Sequence, residues 1–230
     1  MAGLLVAARL GAADTPAVQP APPSVTYVEA PDAAAAGKPA LAPMNFTFVD
    51  SDDAAIADIV QYGSRTIERI GSMMISQVKH ELAENDTSVA VSIMHLKNLE
   101  LPAPVAGKPT ITAIKRTSLL LRDPHNAPDA ADKAALDKIH TQLMNDESPS
   151  KILVQKIEQP GQPVEWRVYR PIAALPACLA CHGDPKTFRP GVKDALDRLY
   201  PEDKAVDYAT QEYRGVLRVS VAAAIPPVAK

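Results

Sequence analysis

Between positions 56 and 82 the residues Ile56, Ile59, Val60, Gly63, Ile67, Ile70, Met74, Val78 and Leu82 recur at helical intervals. Spacing of three and four residues lines one face of an α-helix. The run is preceded by "DSDD" (50–53), whose side chains suit helix capping. One long amphipathic helix is predicted within 50–85. A second should begin at Asp86 or Thr87, carry "SVAVSIMHLKNL" and stop before Pro102. The pattern then changes. "TITAIKRTSLLLR" reads as a β-strand with a following turn, and "DPHNAPDA" as a loop. "DAADKAALDKIHTQLMN" is a third helix with Leu136, Ile139 and Leu143 inward. "KILVQKIEQPGQPVEWRVYRPIA" alternates on either side of a Pro-Gly turn, the mark of a β-hairpin. A short helix around "VKDALDRLY" and a last strand, "YRGVLRVSVAA", complete the chain. No internal repeat is present. Helices first and an antiparallel sheet later predict an α+β domain built on one main sheet.

Residues 14–43 are dominated by Ala and Pro. Proline fixes φ and removes a backbone donor, so no long helix or sheet ladder forms there. Residues 1–43 are therefore expected to be an extended or disordered arm, and residues 44–225 the folded domain. The first residues, "MAGLLVAARLGAADTPA", fit a shortened secretory signal and an ordinary tail about equally. They offer an apolar stretch and small residues, but Arg9 interrupts the stretch and no basic segment precedes it.

Composition narrows the function. The 230 residues are 47% hydrophobic but only 4% aromatic, so an aliphatic, alanine-rich core is expected unless a large flat group fills part of it. A formal net charge of −3 without a Lys/Arg cluster argues against a nucleic-acid partner. No run approaches the roughly 18 apolar residues of a membrane-spanning helix, so no direct span is expected.

The chemistry concentrates in "ALPACLACHGDPKTF" (174–188), which holds the two cysteines, Cys178 and Cys181, with His182 directly after the second. A structural zinc site needs four ligands, and no second cysteine pair exists. A thioredoxin-like disulfide belongs at a strand end in a βαβ unit, which the preceding hairpin does not resemble. C-x-x-C-H is the attachment signature of c-type haem. Two thiols add across two vinyl groups, and the adjacent imidazole lies where it can ligate iron. One covalent haem c is expected on Cys178 and Cys181, with His182 as an iron ligand. Attachment of this kind takes place outside the cytoplasm, so a periplasmic or otherwise extracytoplasmic location is expected.

Three stretches flank or contain that motif: "KRTSLLLRDPHNAPDA" (115–130), "PACLACHGDP" (176–185) and "YPEDKAVDYATQEYRGVLRVSV" (200–221). Together they resemble the Tll0287-like, or DUF3365, haem-binding domain family, over roughly residues 52–222. The resemblance implies a PAS-like α+β domain, with N-terminal helices packed on an antiparallel sheet and one c-type haem. It also implies an electron-transfer or a redox- or gas-sensing role. Members commonly carry a cysteine in the second helix, and in some it is the second axial ligand. The matching stretch here is "AVSIMH" (90–95), with Met94 at that place. The resemblance therefore makes Met94 the second axial ligand, a thioether favouring a higher potential than a thiolate. His95, about 100° further around the helix, is the runner-up, and His80 the third candidate. Arg116 and Arg122 lie in the resembling block and suit the carboxylates of haem propionates. His125 reads as loop-bracing, His140 as peripheral to the third helix, and Tyr200 and Pro201 as fixing the turn before the last strand.

The function expected is that of a single-haem c-type cytochrome in electron transfer, with redox proteins as partners and a place in a larger redox assembly open to it. The alternative is a haem-based sensor of redox state or a small ligand. Nothing in the sequence marks an open site with a catalytic base, so no enzymatic activity is expected.

Overall fold

The computed structural model describes residues 44–93 and 101–223. The expectations for the arm at 1–43, and for Met94 and His95, fall outside the described residues. Five strands form one antiparallel sheet: β1 (Asn45–Val49), β2 (Thr110–Thr117), β3 (Leu153–Glu158), β4 (Glu165–Ala173) and β5 (Tyr213–Ala222). Their order is β1-β3-β4-β5-β2. The helices are α1 (Ala57–Glu84), α2 (Thr87–Ile93), α3 (Ala130–Met144), the single turn α4 (Leu179–His182) and α5 (Val192–Leu199). The protein is α+β, as expected.

Both faces of the sheet are covered. On one, Ile59, Ile67 and Ile70 of α1 pack on Val154, Val168, Leu217, Val219 and Val221. On the other, Ala135, Leu136 and Ile139 of α3 pack on Leu153, Tyr169 and Val216. Alternate residues of a strand face opposite sides, so β5, lying between β4 and β2, is buried from Arg214 to Val221. Closeness of α1 to the sheet depends on Gly63. A Cβ added there would meet Val168 Cγ2 at 2.6 Å.

The α3 face is held by charge as well as by packing. The fully buried Asp132 accepts from Lys115 Nζ at 2.9 Å and lies 3.2 Å from Arg218 Nη1 and 3.4 Å from Arg167 Nη1. Asp129 caps α3 in a reciprocal capping box with Asp132, and Arg167 Nη1 donates to it at 2.7 Å. Burial by itself raises the Asp129 pKa. The Asp132 backbone N–H and the Arg167 guanidinium outweigh it and hold the carboxyl below its usual range.

One expectation needs correction, and one element was not anticipated. Leu143 is not an inward residue of α3 but is 36% exposed, because burial along that helix ends at Ile139 and its last turn is left open to water. The segment NFTFV forms the edge strand β1, which the sequence pattern did not suggest. It becomes a strand by pairing with β3, Asn45 opposite Glu158.

Candidate functional site

The first half of α1 is anchored on the sheet, whereas none of its residues beyond Ile70 is fully buried. There its apolar positions serve a different surface. Val78 and Leu82 line a cavity of about 280 Å³, with Ala90 and Val91 of α2 and Ile114 and Leu121 from the β2 region. Cys178, Cys181 and His182 line the same cavity. Its size lies near the lower end of small-molecule sites.

Local structure explains how all three reach it. Pro176–Cys178 form a 3-10 turn that runs directly into α4. Along one continuous turn, residues three and four apart share a face. Cys181 and His182 therefore fall on the side of Cys178. Gly183 closes the turn by donating to Leu179 O at 3.0 Å. A Cβ at that position would sit 2.8 Å from the same oxygen, so a larger residue would open the turn.

The imidazole is fixed by the segment before β5. His182 Nδ1 is 2.7 Å from Ala205 O. A carbonyl only accepts, so Nδ1 carries the proton and Nε2 keeps its lone pair. Tyr208 N donates to His182 O at 2.9 Å, and the Tyr208 ring meets the imidazole edge-on, with centroids 6.3 Å apart. Burial first, then the cations of Arg122, Arg214 and Arg116, pushes the His182 pKa well down, so the ring is neutral. Burial likewise raises the Cys181 thiol.

Arg122 ties the motif to that segment. Its Nε donates to Asp203 at 2.9 Å, and its Nη2 to Ala205 O at 3.2 Å and to Cys181 O. The three sequence stretches that carry the family resemblance thus meet at one place. Arg122 comes from the first, Cys181 and His182 from the second, Asp203, Ala205 and Tyr208 from the third.

Arg116 and Arg122, equivalent in the sequence reading, differ here. Both line the cavity, but Arg122 is bonded through Nε and Nη2, whereas the Arg116 side chain has no hydrogen bond or ion pair among the described residues. Burial, and then the neighbouring Arg214 and Arg122 charges, lowers the Arg116 pKa to about 10. Arg214, which sequence reasoning overlooked, also lines the cavity and stacks over Tyr208 at 5.1 Å. Its signal was only its place in the third resembling stretch, two residues before a hydrophobic run whose pattern drew attention elsewhere.

Other candidates separate clearly. His80, the third candidate, is exposed on α1 and is not among the residues that line the cavity. His125 borders the cavity but is exposed and bonded to Asp123 at 2.8 Å, a loop brace as expected. His140 is half-buried on α3. Tyr200 does more than shape a turn, since it borders the cavity. Among the described residues, no three His, Cys, Asp or Glu side chains cluster to hold a metal ion by themselves.

The residues fit a haem of the attached kind. The lining brings together two thiols, an imidazole with a free Nε2, the aliphatic side chains of Val78, Leu82, Val91, Ile114 and Leu121, and the cations of Lys115, Arg116, Arg122 and Arg214. Fold and site together define an α+β protein with a cofactor-type cavity built around a CxxCH turn. The chain belongs to the Tll0287-like family, whose family model Tll0287 matches residues 54–222. Among solved structures it is similar to the cyanobacterial heme-protein Tll0287, at 19% identity and a TM-score of 0.36, over 71% of this chain and 98% of that one. No curated protein matches the chain. No helix among the described residues is long and apolar enough to cross a membrane.

Proposed function

We propose that this protein binds one haem c and serves in electron transfer as a non-enzymatic cytochrome. Each thiol, of Cys178 and Cys181, would add its S–H across a vinyl group to form a thioether, with His182 Nε2 as one axial ligand. The observation that carries this reading is the shared cavity wall of Cys178, Cys181 and His182. The Ala205 contact supports it, because ligating histidines commonly donate their other ring N–H to a carbonyl or carboxylate, which fixes the tautomer. The neutral imidazole keeps a lone pair for iron. Bound there, an iron porphyrin would supply one-electron exchange at a potential set by its ligands, its hydrogen bonds and its burial.

Met94 is proposed as the sixth ligand, with His95 as the alternative. Support comes from Ala90 and Val91, which line the cavity and stand four and three positions before Met94 in the sequence. An extracytoplasmic location and redox-protein partners follow from the same chemistry.

The test is the intact mass of protein made together with the cytochrome c maturation machinery. One haem that survives denaturation is expected, and an unmodified mass with two free thiols would overturn the reading. Spectra of the reduced protein with carbon monoxide then separate carrier from sensor. A carrier, closed by its sixth ligand, should not bind the gas, whereas ready binding would favour the sensor.

A further inference from the structure

The cations around the cavity are not equally neutralised. Lys115 pairs with Asp132 at 2.9 Å, and Arg122 with Asp203 at 2.9 Å. The Arg116 side chain has no hydrogen bond or ion pair among the described residues. Arg214 Nη1 donates to neutral oxygens, Ser118 Oγ at 2.8 Å and Leu120 O at 3.1 Å, its guanidinium also engages the neutral Tyr208 side chain, and its buried Nε has no hydrogen-bond partner among the described residues. Neither guanidinium has a carboxylate within ion-pair distance among the described residues. Two positive charges therefore stand against one another in a partly buried wall.

Placing like charges together out of water is unfavourable unless something neutralises them. Elsewhere in this protein buried arginines are matched. Arg167 has Asp129, Asp132 and Glu165, and Arg218 has Asp132. The exception at Arg116 and Arg214 falls on the cavity that also holds both cysteines and His182. A ligand bringing two negative charges restores the balance, and paired carboxylates match the planar fork of arginine.

We infer that Arg116 and Arg214 receive the two carboxylates of a dianionic ligand, which on the haem reading above are its propionates, and that Arg122 does not take this role. The inference rests on that reading for the ligand's identity. It also gives the cavity a polarity: the apolar edge of the ligand lies towards α1 and α2, and its acidic edge towards β2 and β5. Arg122 is instead a positioning residue, holding Cys181 and Ala205.

Arg116 is the better residue to vary, because among the described residues its side chain makes no hydrogen bond whose loss would disturb the fold. The haem-loaded wild-type chain and its Arg116→Gln, Arg116→Lys and Lys115→Met variants would be compared by resonance Raman spectroscopy and by redox titration across pH. In Arg116→Gln the propionate bending band should shift. A propionate that has lost its cation also titrates at higher pH, so the reduction potential should become more pH-dependent between pH 5 and 8. Arg116→Lys should restore the weak pH dependence while leaving the band partly shifted. Lys115→Met removes a cation already neutralised by Asp132 and should leave the band in place. A change of potential in Arg116→Gln with neither a band shift nor new pH dependence would reduce Arg116 to a through-space charge and overturn the inference. Unmodified protein in the mass measurement would overturn the haem reading instead, so the two failures are distinguishable.

Discussion

His182 and Arg122, on separate elements, share one acceptor: the carbonyl oxygen of Ala205 lies 2.7 Å from His182 Nδ1 and 3.2 Å from Arg122 Nη2. The guanidinium also reaches Cys181 O and Asp203, so one side chain sets the backbone on both sides of the imidazole. The ring's tautomer and its orientation thus depend on a residue that does not touch the ring.

Arg122→Gln should therefore destabilise the protein and disturb the site together. The Arg122–Asp203 pair is 13% and 10% exposed, and breaking a pair this far from water leaves Asp203 uncompensated. A loss of about 3 kcal/mol is expected, read from the midpoint of chemical denaturation. Arg122→Lys should recover only part of it, because one ammonium cannot make three divergent contacts. A variant as stable as wild type would show that the clamp contributes nothing.

Two glycines of α1 should respond in opposite directions to alanine. At Gly63 the new Cβ would sit 2.6 Å from Val168 Cγ2. Overpacking of that kind costs about 1–3 kcal/mol, more than the roughly 1 kcal/mol gained in helix propensity. At Gly71 a Cβ meets nothing within 4 Å. Gly71→Ala should gain up to about 1 kcal/mol. Urea midpoints of the two variants, lying on either side of wild type, would confirm how closely α1 approaches the sheet.

The acid limb of stability should depend on Asp129. Its folded pKa is depressed, burial being outweighed by the Asp132 N–H and Arg167. A group of this kind binds protons more readily when unfolded, so its contribution is complete above the unfolded value of about 4. The contribution is lost as pH falls through the lower folded value. Asp129→Asn should be less stable than wild type by a constant amount above about pH 4, and the gap should close below it. A gap that persists at pH 2 would assign the loss to packing or capping instead.

Met94→Ala and His95→Ala test the sixth ligand. With Met94 in that role, the oxidised protein shows the weak long-wavelength sulfur-to-iron band. Met94→Ala should abolish it and admit carbon monoxide, while His95→Ala changes neither. The reverse pattern transfers the role to His95.

Much of the architecture was legible from the chain alone, because it depends on local periodicity. The long run from Ile56 to Leu82 could only be an amphipathic helix, and alternation around Pro160 and Gly161 could only be a hairpin. The CxxCH chemistry was equally local, since three residues within one turn define it. Edge strand β1 was not legible, as its identity depends on β3 more than a hundred residues later. Nor could periodicity show that α1 serves two surfaces, with Ile59 to Ile70 on the sheet and Val78 and Leu82 on the cavity. The sequence offered Arg116 and Arg122 as equals, and only tertiary contacts separated them. Asp203 and Ala205, distant in sequence, engage Arg122, and no hydrogen bond or ion pair among the described residues holds the Arg116 side chain. Charge balance at a site is a sum over every element that reaches it, so it becomes defined only when the chain is folded.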